Sequence, residues 1–178
     1  MQNVYNPVST YRLQFNGDFG FRDAEKILAY LQKLGIKTLY ASPVFKAVSG
    51  STHGYDVIDP NRFNPALGGE DGFHSLIKSM EERNMGLLQD VVPNHMGFTH
   101  ENPWVKDLLV KGRESLHHNS FDIFKGHPDP ALQKGVLFPF LGKPLEEVLK
   151  SGEISLHFGE EGFFLKYYSM ILPVSMKA

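Results

Sequence analysis

The sequence contains no cysteine and only one tryptophan among its 178 residues. Without thiols there is no disulfide framework, no thiolate nucleophile and no cysteine-held zinc or iron–sulfur centre. An excess of one charge is also missing. With 18 basic and 20 acidic residues the formal charge is −2, which leaves no electrostatic footprint for nucleic acid or anionic lipid. No window nears the roughly 20 apolar residues of a membrane span. The start, Met1-Gln2-Asn3-Val4-Tyr5-Asn6-Pro7, has no basic region followed by an apolar run. The expectation is a cytoplasmic protein with neither nucleic acid nor membrane as a partner. No GxGxxG, GxxxxGK[ST] or HExxH pattern occurs, so no cofactor and no metal is expected. What is present is an ordinary globular balance of 42% hydrophobic and 21% charged residues. A chain of this length buries on the order of 70% of its unfolded surface.

Along the chain, residues 9–15 alternate and are rich in β-formers, which predicts a first strand. Ala24, Ile27, Leu28, Leu31 and Leu34 recur at helical spacing before Gly35, predicting an amphipathic helix that this glycine closes. A second strand follows at residues 36–41, and then a long polar loop from Lys46 to Gly69. At this length the loop exceeds the usual connection and reads as functional. Phe73, Leu76, Ile77 and Met80 predict a second helix ending near Asn84, and residues 86–92 a third strand. The order is βαβαβ, and its near-continuous apolar strands imply a parallel sheet covered on both faces. Leu13, Leu39, Ala41, Leu88 and Val91 read as buried positions. After Asn94 the rhythm changes: a short helix at 104–111, another from Pro144 with Leu145, Val148 and Leu149 on one face, and then a β-hairpin through residues 154–168. The expected organisation is therefore α/β over residues 1–96, with 97–178 a separate α+β excursion. The aromatic group Phe121, Phe124, Phe138 and Phe140 reads as the core of that second part, and Glu146-Glu147 and Glu160-Glu161 as surface pairs.

Two segments look chemical. Asp90-Val91-Val92-Pro93-Asn94-His95 lies at the carboxyl end of the third strand, where ligands gather in parallel α/β folds. Asp90, Asn94 and His95 there either bind a polyhydroxylated ligand or stitch the turn. In Thr52-His53-Gly54-Tyr55-Asp56-Val57-Ile58-Asp59-Pro60, the tyrosine offers a flat apolar face for the CH side of a sugar ring. His53 and Asp56 are able to hold hydroxyls. On the residues alone, a turn with its bend at Asp59-Pro60 is favoured for this second segment.

At these two segments the sequence resembles the α-amylase family of (β/α)8-barrel enzymes, in which HGY follows the second strand and DVVxNH ends the third. The likeness extends along nearly the whole chain to the trehalose-forming members of that family. It is carried by residues 9–15, by Leu39-Tyr40-Ala41-Ser42-Pro43, by residues 50–60, by Asn64-Pro65-Ala66-Leu67-Gly68-Gly69 and by Val91-Val92-Pro93-Asn94-His95-Met96. Glu101-Asn102-Pro103-Trp104, Phe121-Asp122-Ile123 and residues 136–142 continue it. Met170-Ile171 depart from it, standing where a polar pair is expected.

The resemblance implies the first three βα units of a (β/α)8 barrel followed by an α+β insertion. It further implies an α-1,4-glucan or maltooligosaccharide as substrate, whose reducing-end α-1,4 linkage is rearranged to α,α-1,1 by retaining chemistry with paired carboxylates. Tyr55 would stack on the sugar at the cleavage point and His95 would hydrogen-bond it. Asp90 would buttress the site, Asn94 would hold the following loop, and His53 and Asp56 would stand on the sugar side. The family's three catalytic carboxylates follow the fourth, fifth and seventh strands, so none of the acids here takes those roles. The reading is an N-terminal portion of such an enzyme, inactive alone, with self-association or a missing remainder as partner. A stand-alone carbohydrate-binding or regulatory module and one part of a split enzyme are the alternatives.

Overall fold

The computed structural model describes residues 6–123, 128–130, 139–160 and 162–175. Phe124, Phe138, Glu161 and residues 136–138 of the family-like segment lie outside these. The chain divides into two compact units, Met1–Asn102 and Pro103–Ala178.

In the first unit, strands β1 (Thr10–Leu13), β2 (Thr38–Ala41) and β5 (Gly86–Gln89) form a parallel sheet in the order β1-β2-β5. Helices α1 (Phe21–Lys33) and α2 (Gly69–Glu81) make the two crossovers. The helical spacing seen in the sequence has a direct counterpart: Phe21, Ala24, Leu28 and Leu31 are all fully buried along one stripe of α1. Gly35 ends that helix as expected, its N–H donating to the Gln32 carbonyl while Ile36 N–H reaches back to Leu31, the paired bonds of a Schellman closure. Leu13, Phe15, Leu39, Ala41, Leu76 and Met80 complete the core between sheet and helices. Aromatic rings extend it: Phe21 meets Phe15 at 5.3 Å and Phe73 at 5.6 Å, and Phe73 stacks on Phe63 at 4.3 Å.

Three expectations need correction in this unit. Leu88 and Val91 are not buried; they are 48% and 57% exposed. Arg12, Tyr40 and Leu88 are register partners across the sheet, so Leu88 belongs to the face turned away from α1 and α2, and Val91 follows the end of the edge strand. The 46–69 segment is also not one loop. It contains an antiparallel pair, β3 (Phe45–Ala47) with β4 (Val57–Phe63), whose register shifts twice between Phe45 and Ala47. Pro60 sits within the irregular stretch of β4, where a missing N–H is tolerated. Finally, residues 97–102 close on the first unit rather than on the second. Gly97 N–H donates to the Val57 carbonyl at 2.8 Å, the buried Asn102 amide donates to the Gly97 carbonyl at 3.0 Å, and the Ser49 hydroxyl donates to Glu101.

The second unit holds α3 (Pro103–Lys111), α4 (Leu145–Lys150) and an antiparallel sheet of β6 (Ile154–Gly159), β7 (Gly162–Tyr167) and β8 (Met170–Pro173) in that order. The expected hairpin is thus a three-stranded sheet. Tyr168 takes a left-handed φ of 51° at the tight β7–β8 turn, and Met170 and Ile171 pair with Tyr167 and Lys166. Of the three apolar residues expected on one face of α4, only Val148 is buried; Leu145 and Leu149 are more than half exposed, because a helix of six residues presents little more than one turn to a core.

Glu153 ties this unit together, accepting from Lys143 at 2.7 Å and from Ser151 and Tyr168 at 3.0 Å each. These donors, Lys143 above all, hold its carboxyl below the ordinary glutamate range. A carboxyl with a lowered folded-state pKa contributes stability that is present above its unfolded value and lost as the pH falls through the folded one. Acid should therefore loosen the Tyr168 turn, followed by near-ultraviolet circular dichroism. Glu153→Gln should remove that part of the acid dependence while lowering neutral-pH stability.

Among the described residues no helix is long and apolar enough to cross a membrane.

Candidate functional site

Successive side chains of a strand alternate between the faces of a sheet. The even-numbered residues of β1, β2 and β5 share the face away from the helices, and because the strands are parallel their carboxyl ends open on one edge. Arg12 and Tyr40 are direct register partners, and Asp90 lies two residues beyond Leu88, with its N–H continuing the ladder to the Ala41 carbonyl at 2.9 Å. The segment after β3 brings Tyr55 to this edge.

There the Tyr55 hydroxyl donates to Asp90 Oδ2 at 2.5 Å and accepts from Arg12 Nη2 at 3.1 Å. The Tyr40 hydroxyl donates to the same Asp90 oxygen at 3.2 Å. The Arg12 guanidinium lies 5.7 Å from the Tyr40 ring centre and also donates to Gln14 Oε1 at 3.0 Å. Gln14 in turn donates to the His53 carbonyl at 3.0 Å. Electrostatics follow the geometry. The bond to Asp90 pushes the Tyr55 phenol above its ordinary pKa, with Arg12 acting in the opposite sense. The bond to Tyr55 strengthens the hold of Arg12 on its proton.

Of the residues singled out in the sequence, Tyr55, Asp90 and His53 come together. Tyr55 N–H donates to His53 Nδ1 at 3.0 Å, and the two rings are 6.1 Å apart. Asp56 sits behind them, with its Oδ1 accepting from the Ser51 hydroxyl at 2.5 Å and 3.8 Å from His53 Nδ1. Asn94 and His95 are exposed on the segment after β5, within 3.3 Å of each other. Among the described residues no hydrogen bond joins either of them to Tyr55 or Asp90.

Arg12, Gln14 and Tyr40 were not singled out, because each reads as an ordinary strand position. The signal that finds them is parity, since Arg12 and Tyr40 lie on the same face as Asp90. The loop that carries Tyr55 also walls a cleft of about 490 Å³ whose lining includes Asp18, Lys46, Ser49, Thr52 and Asn64. No aromatic ring lines that cleft, so it offers a sugar no stacking surface. Among the described residues, no group of three or more histidine, aspartate or glutamate side chains stands close enough to hold a metal. The arrangement at the strand ends is a flat phenol ring with a fixed hydroxyl, flanked by a cation, an imidazole and two carboxylates. That is hydrogen-bonding and stacking equipment for a polyhydroxylated ligand.

Comparison with known proteins agrees with this architecture. Residues 23–128 match the family model described as the catalytic domain of α-amylase. An inferred maltooligosyl trehalose synthase of Mycobacterium tuberculosis is 41% identical over 165 residues, covering 84% of this chain. A solved maltooligosyl trehalose synthase superposes with a TM-score of 0.85 at 38% identity over 93% of the chain. The maltooligosyltrehalose synthase of Arthrobacter ramosus does so at 0.81 and 38% over 96%. The chain spans about a fifth of the length of these relatives, 21% to 22%. On the family match, the strand order and the helical crossovers, this chain belongs to the α-amylase family, of which it forms a partial barrel.

Proposed function

We infer that this chain supplies the sugar-contacting ends of the first barrel strands of a maltooligosyl trehalose synthase, with a maltooligosaccharide as ligand. The observation that carries this reading is the Tyr55 hydroxyl held between Asp90 and Arg12 at the sheet's carboxyl edge. Because the proton and one lone pair of that hydroxyl are engaged within the protein, the ring face is the main surface that Tyr55 offers to a ligand. His53 and Asp56 stand beside it, and His95 is exposed on the segment after β5.

The reaction rearranges the reducing-end α-1,4 linkage to α,α-1,1 and requires a nucleophilic carboxylate and an acid/base carboxylate about 5–5.5 Å apart across the scissile bond. Asp90 is bonded to two phenols and Asp56 to a serine hydroxyl, which suits both to support rather than to attack. The family's reacting carboxylates follow later strands of the barrel, so the acids at these strand ends are assigned to holding the glucan.

Titration of maltopentaose, followed by amide chemical shifts, tests this. Saturable shifts at Tyr55 and His53 are expected. Tyr55→Ala should weaken binding at least tenfold, because stacking on the ring is worth about 1.5 kcal/mol or more. Unchanged affinity in that variant overturns the reading, as does formation of trehalosyl ends by the isolated chain.

A further inference from the structure

We propose that Arg12 is a positioning residue of the glucan site: its guanidinium, shared between Gln14 and the Tyr55 hydroxyl, sets the plane and tilt of the Tyr55 ring at the mouth of the sheet.

The argument is a count of donors and acceptors. A phenol has one proton to give and two lone pairs to offer. The Tyr55 proton goes to Asp90 at 2.5 Å, and a lone pair accepts from Arg12 at 3.1 Å. Two partners on opposite sides of one oxygen determine where the hydroxyl sits, and with the backbone N–H held by His53 the ring has little freedom to swing. Arg12 needs an anchor of its own to do this, and it has two. Tyr40 presents a ring face at 5.7 Å, a favourable placement for a cation. Gln14 Oε1 accepts from the same guanidinium nitrogen, Nη2, while the Gln14 amide holds the His53 carbonyl. The loop is therefore gripped at both His53 and Tyr55, from Arg12 in β1 and from Gln14 just beyond its end.

Among the described residues Arg12 has no carboxylate within ion-pair distance. Its influence on Asp90 passes through the phenol. A conventional surface ion pair would not be built this way, and a lysine ammonium, although it has protons enough for two oxygens, lacks the planar face that lies over the Tyr40 ring.

This proposal rests on reading Tyr55 as the ligand platform, and its test separates the two. The ionisation of Tyr55 is followed by NMR of tyrosine labelled at the ring carbon bearing oxygen, with Tyr55→Phe identifying the signal among the seven tyrosines. Removing the cation in Arg12→Met should move that titration to higher pH, and Asp90→Asn should move it to lower pH. Arg12→Lys, which keeps the charge, should hold the titration near its wild-type position yet lose part of the affinity. Maltopentaose affinity should fall about three- to tenfold in Arg12→Met and fall no further when that change is added to Tyr55→Phe, since both act through one hydroxyl. A Tyr55 signal that does not respond to Arg12→Met overturns the positioning role, and so do losses that simply add in the double variant. If the titrations move as expected while the wild type binds no maltopentaose, the glucan reading fails and the Arg12–Tyr55–Asp90 coupling stands.

Discussion

Gly54→Ala should destabilise the first unit by about 2–5 kcal/mol and remove most of its glucan affinity. Gly54 has a φ of +75°, and a Cβ placed there would lie 2.9 Å from the Pro43 carbonyl oxygen. The left-handed conformation costs an alanine about 1–2 kcal/mol, and overpacking adds about 1–3 kcal/mol. The obstacle is a main-chain oxygen, so no side chain can rotate out of the way. Relief must come from moving the loop, and the next residue is Tyr55. The Gly54 N–H bond to Ser51 at 3.1 Å and the Tyr55 bond to Asp90 are the first contacts to stretch. Urea midpoints at constant slope measure the stability change, and maltopentaose titration the affinity. Gly50→Ala is the control. Gly50 also has a positive φ, +77°, but nothing lies within 4 Å of where a methyl group would stand, so it should lose only the conformational part. Equal midpoints for the two variants would show that the contact with Pro43 does not matter.

Gly97→Ala should cost about 3 kcal/mol by sterics alone. Its Cβ would meet Val48 Cγ2 at 2.8 Å, the Asp56 carbonyl oxygen at 2.9 Å and Ile58 Cγ2 at 3.1 Å. Val48 has room to adjust, but the Asp56 oxygen belongs to the backbone, and Ile58 is fully buried. Such crowding lies at the upper end of the usual overpacking penalty. The way out is to lift residues 97–102 from the segment beneath, breaking the 2.8 Å bond from Gly97 N–H to the Val57 carbonyl. Hydrogen exchange at the Gly97 amide should accelerate in step with the fall in urea midpoint. Native-like protection at that amide would refute this account.

How much of this was legible beforehand depended on periodicity. Helix α1 is plain from Ala24, Leu28 and Leu31, since a buried stripe at helical spacing admits few other readings. The β3–β4 pair is not, because Pro60 and two register shifts erase the alternation that marks a strand. Leu88 and Val91 misled because hydrophobicity reports what a residue tolerates, while exposure depends on which face of the sheet the helices cover. For the site, Asp90 stands out as a polar group at a strand end, whereas Tyr55 is marked by the family resemblance, its residues alone favouring a turn. Arg12 does not stand out, since its partner Tyr55 is 43 residues away and only the register of the folded sheet brings the two together. The third strand of the second unit escaped notice because Met170-Ile171-Leu172-Pro173 is too short to alternate convincingly and ends in a proline.

The single tryptophan, Trp104, belongs to the second unit, where its indole lies parallel to the imidazole of His117 with ring centres 4.7 Å apart. Intrinsic fluorescence from this protein is therefore a private signal of that half. A melting curve recorded by tryptophan emission alone would report first on the unit that holds Trp104, not on the one that holds Tyr55. Amide probes within the first unit are the observables that follow the half that carries Tyr55.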